Sequence, residues 1–187
     1  MIGRALGSAK AVAAANGGYI MILGLSFETF VLLHTLISII AIVTGLIVLV
    51  AMIRGAAPDW ITHVFLWTTA LTTLTGFLFP ISVITPAVAT GIVSTVILVL
   101  AFAAIYAFNL AGPWRWIFAT TAIAALYLNC FVFVVQSFQK ISELAALAPT
   151  QSEPPFLIAQ TALLATFVWA GWRAVKGFHP PAPAVAA

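Results

Sequence analysis

The chain has 187 residues, of which 64% are hydrophobic and 6% charged, and its formal net charge is +3. Soluble domains carry about 25% charged residues, so this composition excludes a water-facing globular surface and predicts an integral membrane protein. The small, scattered positive charge argues against a nucleic-acid partner. The single cysteine, Cys130, excludes an internal disulfide and a cysteine-cluster metal site. The lipid bilayer is therefore the predicted partner, with other membrane subunits as a further option.

A helix needs roughly 20 apolar residues to cross a bilayer, and the chain contains five apolar runs of that length. In chain order they cover about residues 27–53, 60–79, 87–108, 114–138 and 155–172. Pro80 ends the second run and Pro86 opens the third, as proline is accepted in the first turn of a helix. We predict an all-α integral membrane bundle of five transmembrane helices over residues 21–176. Residues 1–20 are predicted as an N-terminal tail or interfacial segment, and residues 177–187 as a disordered C-terminal tail.

Charged residues in the connecting loops predict the orientation. One side of the membrane would carry one acidic and four basic residues, namely Asp59, Arg54, Arg115, Arg173 and Lys176. The other side would carry three acidic residues and one basic residue, with two more basic residues on the N-terminal tail: Glu28, Glu143, Glu153, Lys140, Arg4 and Lys10. Loops rich in Lys and Arg stay in the cytoplasm, so the N-terminus is predicted outside and the C-terminus in the cytoplasm. Tryptophans typical of a membrane interface fall on the inner side: Trp60, Trp114, Trp116 and Trp172.

Two ionisable residues, His34 and His63, lie inside the predicted spans. From the rise of a helix and the thickness of a bilayer they differ in depth by roughly 15–20 Å, so they cannot ligate one haem iron together. His63 lies near the inner interface, where water, a lipid headgroup or the nearby Asp59 would satisfy its ring. His34 is the stronger functional candidate, because ionisable residues inside membranes often mark functional sites.

Polar residues of several spans fall in the outer half of the predicted bundle, at about the depth of His34. The candidate cofactor-binding cluster is His34, Asn129, Gln136 and Gln160, with Thr72, Thr73 and Thr75 nearby. One interpretation is ordinary hydrogen bonding between helices, at about 0.6 kcal/mol per bond. The other is a small outward-facing cavity for a polar headgroup, a quinone or a proton. The loop over residues 148–156 is predicted to lie above this cluster, with Ser152 capping the helix that Pro155 opens.

Motifs for catalysis are missing from the sequence: it contains no nucleophile–base pair, HExxH, glycine-rich phosphate loop or carboxylate dyad. No catalytic residue, metal or required cofactor is predicted. Three hypotheses remain. The first is a non-catalytic binding or accessory subunit that uses the outer polar cluster. The second is a membrane redox component that binds quinone or haem through His34, and the third is a small permease for a neutral solute. An inner half with few polar residues beyond its interface argues against the permease.

Several segments resemble a group of uncharacterised small multipass membrane proteins of proteobacteria. The resemblance lies in the segments Phe30-Val-Leu-Leu-His34 through Gly45 to Arg54, Trp60-x-x-His63, Thr75-Gly-Phe-Leu-Phe-Pro80, Ala125-Leu-Tyr-Leu-Asn129 through Gln136, and the loop Ala148 to Phe156. It covers roughly residues 21 to 176 and implies a bacterial inner-membrane location. It implies no activity.

Overall fold

The computed structural model describes residues 21–80 and 86–179, and the predicted tail 1–20 lies outside them. The described chain is helical apart from one short hairpin. In chain order its helices are α1 (Phe27–Ile53), α2 (Trp60–Gly76), α3 (Pro86–Phe102), α4 (Trp114–Lys140), α5 (Ser142–Leu147) and α6 (Pro154–Gly177). α3 continues into a π-helical turn, Ala103–Ala107.

Four of these helices are long and apolar enough to cross a membrane: α1, α4, α6 and the stretch Val88–Ala107 of α3 with its π-helical turn. This confirms an all-helical architecture with helices whose length and composition are compatible with a membrane. α2 has 17 residues, which extend about 25 Å at 1.5 Å per residue. The predicted second span reached residue 79, but the amides of Phe77 and Leu78 bond three residues back, to Leu74 and Thr75. This tighter turn ends the helix at Gly76.

Consecutive long helices run in alternating directions, so the bundle has two distinct ends. The Phe27 end is formed by the start of α1, the end of α2, the end of α4 and the start of α6. The Ile53 end is formed by the opposite termini of the same four helices. α4 packs against α1, α3 and α6 and supplies much of the buried core.

The centre of the bundle is closed by close contact between α1, α2 and α4. A Cβ atom added to Gly45 of α1 would lie 2.5 Å from Leu126 Cδ1 and 2.8 Å from Phe65 Cε2, so a larger residue would have to displace these side chains. Apolar side chains fill the space around Gly45 and leave no room for a water molecule. The bundle is therefore dry at this level.

The Ile53 end is closed by the residues that follow α6. A Cβ atom on Gly177 would lie 2.5 Å from the carbonyl oxygen of Ile53, so α6 touches the backbone of α1 there. Phe178 is 1% exposed and packs on Phe118, and its carbonyl accepts a 2.9 Å hydrogen bond from Arg115 Nη1. The predicted disordered tail began at residue 177, whereas Gly177 and Phe178 belong to the packed bundle.

Two short elements differ from the sequence prediction. A hairpin pairs Met21–Ile22 with Leu25–Ser26 through a two-residue turn, and its Leu23 and Gly24 have φ of 53° and 78°. Positive φ at both central residues is typical of a tight two-residue hairpin turn. The loop after α4 contains the short helix α5.

The prediction that Ser152 caps the last long helix is wrong. α6 begins at Pro154, its N-cap residue is Glu153, and no side chain caps it. Two successive prolines open the helix and remove two of the amide donors that a cap would satisfy. Ser152 instead shares a hydrogen bond with the Thr150 hydroxyl.

Candidate functional site

Three threonines of α2 connect the polar side chains of the neighbouring helices. Thr69, Thr72 and Thr75 follow one another at intervals of three residues, which keeps them near one side of the helix. Asn129 Nδ2 of α4 donates to Thr69 Oγ1 at 3.1 Å. On α1, the Ser38 hydroxyl lies 3.4 Å from the Thr72 hydroxyl and His34 Nδ1 lies 2.8 Å from Thr75 Oγ1. α2 is therefore the common hydrogen-bond partner of α1 and α4.

The four predicted site residues lie at more than one level. Thr69 and Thr75 are separated by about 9 Å along α2 at 1.5 Å per residue, so Asn129 and His34 bond to different parts of the helix. Gln160 Nε2 of α6 donates to the carbonyl of Phe131, two residues beyond Asn129, at 3.3 Å. Gln136 is half-buried and has no side-chain hydrogen bond within the described ranges. The expected convergence at one depth is therefore a series of separate pairs.

One acceptor in this series has no partner. The side-chain oxygen Oε1 of Gln160 is buried and receives no hydrogen bond within residues 21–80 and 86–179. Leaving a buried acceptor unsatisfied costs about 1–3 kcal/mol. The region between α4 and α6 thus contains an acceptor that lacks a hydrogen-bond donor among the described residues.

His34 lies in an aromatic environment at the Phe27 end. Its ring meets Phe79 edge-to-face, with 5.1 Å between the centroids. Phe79 makes similar edge contacts with Phe27 and Phe30 of α1. Phe27, Phe30 and His34 follow a helical spacing that puts all three on one side of α1.

His63 occupies a separate environment near the Ile53 end. Its Nδ1 lies 2.6 Å from the hydroxyl of Tyr106, which belongs to the π-helical turn. Tyr106 stacks on Phe102, which in turn meets Trp67 edge-to-face. Asp59, one of the predicted partners of His63, is occupied elsewhere.

The carboxylate of Asp59 caps α2. It accepts from the amide of Thr62, whose hydroxyl in turn accepts from the Asp59 amide. This reciprocal arrangement satisfies two free amides at the start of the helix. Both histidines bond to a hydroxyl, His63 to that of Tyr106 and His34 to that of Thr75. His63 and Thr75 are twelve residues apart on α2, which is about 18 Å of helix, so the two histidines occupy separate environments.

The loop between α4 and α6 is tied to the Phe27 end by Gln151. This residue has a positive φ of 59°, and its Nε2 donates to the carbonyl of Val135 at 3.0 Å. Its oxygen accepts from Gln139 at 3.3 Å. The loop therefore lies against the last turns of α4.

Glu153 organises the other half of this loop. Desolvation raises the pKa of its carboxyl. Hydrogen bonds from the side chain and amide of Thr150 and from the amide of Ser152 lower the pKa by more than desolvation raises it, so the pKa falls below the ordinary 4.5. Thr150 contributes its amide at 3.0 Å and its hydroxyl at 2.8 Å. Hydrogen bonds to the charged form favour ionisation. The ionised carboxylate thus holds the turn closed.

Among the described residues, no three His, Cys, Asp or Glu side chains come together as a metal-binding group. His34 is half-buried and lies within the aromatic environment. Comparison of the chain with protein-family models, with curated proteins and with solved structures finds no match.

Two residues that bond to predicted site residues or histidines were not predicted from the sequence. They are Thr69 of α2 and Tyr106 of the π-helical turn. The repeat of threonine at positions 69, 72 and 75 is a detectable signal for a hydroxyl-lined helix face. No comparable signal marks Tyr106, because its position depends on the π-helical turn.

Proposed function

We propose that this chain is a multipass protein of the bacterial inner membrane that acts as a non-catalytic binding or accessory subunit. It would bind through the polar residues of the Phe27 end. The observation that carries this proposal is the buried Gln160 Oε1, which lacks a donor among the described residues. A ligand or a second subunit that donates a hydrogen bond would remove the energetic cost of that atom.

Five membrane crossings are part of this proposal. α2 is short, but it packs along α1 and follows it after a connection of only six residues, 54–59. A helix of about 25 Å crosses a bilayer with local thinning at modest cost. The bacterial inner membrane is suggested by the resemblance to proteobacterial membrane proteins.

Charge supports an outside location for the Phe27 end. Among the described residues, the Ile53 end carries Asp59 against four basic residues, Arg54, Arg115, Arg173 and Lys176. Lys176 Nζ lies 4.2 Å from the Trp172 ring centroid, a cation–π contact that suits a membrane interface. Basic residues favour the cytoplasm. The C-terminus would then be cytoplasmic and the N-terminus outside.

The dry centre of the bundle argues against a permease. Gly45, Phe65 and Leu126 meet too closely for water to pass between α1, α2 and α4. A polar solute would have to separate these helices. Binding at one end is therefore favoured over passage through the bundle.

Native mass spectrometry after purification in a mild detergent tests the proposal. The wild-type chain should retain a bound small molecule or subunit, and Gln160→Met should lose it. Thr166→Val is the matched control on the same helix, because the Thr166 hydroxyl is exposed and bonds to the carbonyl of Ala162. A wild-type chain without a bound component, or retention of it in Gln160→Met, would overturn the proposal.

The same substitution makes a stability prediction. Methionine has nearly the shape of glutamine but no unsatisfied acceptor, so Gln160→Met should raise the free energy of unfolding of the ligand-free chain by about 1 kcal/mol. The Phe131 carbonyl keeps its helical hydrogen bond. Denaturation in mixed micelles measures the change, and a loss of stability would show that Gln160 only supports packing.

A further inference from the structure

The hydrogen bonds of Thr75 determine which nitrogen of His34 carries a hydrogen. Thr75 Oγ1 lies 2.6 Å from the carbonyl oxygen of Leu71 and 2.8 Å from His34 Nδ1. A hydroxyl has one hydrogen to donate. Two oxygens at 2.6 Å repel unless that hydrogen lies between them, so Thr75 donates to Leu71. The hydrogen between Thr75 and His34 must then belong to Nδ1.

This assignment leaves Nε2 of the neutral ring as a hydrogen-bond acceptor. In a neutral imidazole one nitrogen donates and the other accepts. No hydrogen bond to Nε2 is present in the described part of the chain, and the ring is half-buried. His34 therefore has an unused lone pair on Nε2 at the Phe27 end. The hydrogen bond between Nδ1 and Thr75 holds the ring in one orientation.

Gly76 places no side chain against this ring. The nearest atom to a Cβ built on Gly76 is Cε1 of His34, the ring carbon between the two nitrogens, at 3.9 Å. Phe79 presents an edge contact to the same ring, so the surroundings suit another aromatic ring. Leu33, the residue before His34 on α1, is exposed. The surface of α1 next to the ring is therefore apolar at this residue.

We propose that Nε2 of His34 accepts a hydrogen bond from a ring hydroxyl of a membrane-dissolved hydroquinone. This rests on the binding role proposed above and names its ligand class. A hydroquinone carries hydroxyl donors, whereas the carbonyls of a quinone only accept. Because the lone pair of Nε2 needs a donor, the site binds the reduced form more tightly than the oxidised form.

Affinity measurements on the full chain in lipid nanodiscs test this preference. A short-tailed benzoquinol, kept under anaerobic conditions, and the matching benzoquinone are titrated separately by calorimetry. The benzoquinol should bind at least tenfold more tightly. Equal affinities, or tighter binding of the benzoquinone, would overturn the assignment of Nε2 as acceptor.

Two variants assign the binding to this position. His34→Leu removes the acceptor, and Gly76→Leu fills the space beside the ring while replacing glycine in a helix with a residue of higher helix propensity. Each should weaken benzoquinol binding at least tenfold. His63→Leu is the matched control and should leave it unchanged. Unchanged binding in both His34→Leu and Gly76→Leu would contradict the proposal.

The outcomes separate this inference from the binding role itself. A component lost in Gln160→Met, together with no benzoquinol binding, would overturn the hydroquinone assignment and leave the binding role intact. Absence of both would overturn both. A Soret band in the purified chain that disappears in His34→Leu would assign Nε2 to a haem iron and reject the hydroquinone.

Discussion

The two ends of the bundle are held together by different interactions. At the Ile53 end, Gly177 touches the backbone of α1. Phe178 is buried, and its carbonyl accepts a hydrogen bond from Arg115. At the Phe27 end, side-chain hydrogen bonds join the helices, and Gln160 Oε1 and His34 Nε2 have no hydrogen-bond partner within the described residues. Close packing therefore stabilises one end, while the other end, in our proposal, is the one that binds.

The hydrogen bonds of the two histidines differ in what they determine. The hydroxyl of Thr75 is committed to Leu71, so His34 donates through Nδ1 and keeps Nε2 as acceptor. His63 Nδ1 lies 2.6 Å from the hydroxyl of Tyr106, and no second acceptor among the described residues determines which of these two groups donates. The second hydrogen bond of the partner hydroxyl is therefore what assigns the hydrogen of His34.

The largest expected effect is on stability at the Ile53 end. Phe178→Ala empties a buried position and should lower the free energy of unfolding by about 3–5 kcal/mol. Phe133→Ala, at an exposed position of α4, is the matched control and should cost far less. Unfolding in mixed micelles measures both. Similar losses for the two variants would mean that Phe178 does not hold this end closed.

A smaller loss is expected from Gly177→Ala. Its methyl group would lie 2.5 Å from the Ile53 carbonyl, against backbone that cannot move aside locally. Overpacking of this kind costs about 1–3 kcal/mol. Gly171→Ala on the same helix is the control, because its methyl would meet Ile123 Cγ2 at an ordinary 3.5 Å. If the two variants are equally stable, α6 does not press on α1 at this end.

Thr75→Val should change binding more than stability. It removes one hydrogen bond between helices, worth about 0.6 kcal/mol, but it also releases the His34 hydrogen from Nδ1. Benzoquinol affinity should fall severalfold and return in Thr75→Ser. Thr95→Val is the control, since its hydroxyl bonds only within α3, to Gly91. An unchanged affinity in Thr75→Val would remove Thr75 from the site.

The smallest effect concerns pH at the loop above the Phe27 end. The folded pKa of Glu153 is lowered, so its stabilisation is present above the ordinary value of 4.5 and is lost as the pH falls through the lowered value. The amide resonance of Thr150 should shift in that acidic range. In Glu153→Gln the shift should disappear, whereas its persistence would assign the titration to another group.

Helix positions were largely predictable from hydropathy. The first span was predicted at 27–53, and α1 covers Phe27–Ile53, because uninterrupted apolar residues leave the chain no other way to satisfy its backbone in lipid. The end of α2 was not predictable to the residue. Phe77, Leu78 and Phe79 are as apolar as the helix before them, and only the hydrogen bonds to Leu74 and Thr75 show the tighter turn.

The polar residues of the candidate site could be identified from the sequence, but their hydrogen bonds could not. His34, Asn129 and Gln160 stand out as polar residues in apolar segments. Their partners depend on how the helices face one another, so Thr69 and Thr75 could not be assigned as individual acceptors. The free nitrogen of His34 depends on a third atom, the Leu71 carbonyl. Such a property follows from three-dimensional geometry rather than from residue type.

The most direct test is a long-range nitrogen–proton NMR spectrum of the histidine side chains, recorded with and without benzoquinol. In the ligand-free chain, His34 should show its hydrogen on Nδ1 and a bare Nε2. Benzoquinol should shift the Nε2 resonance of His34 and leave His63 unchanged. A hydrogen found on Nε2 of ligand-free His34, or a His34 resonance unmoved by saturating benzoquinol, would contradict the binding site proposed at the Phe27 end.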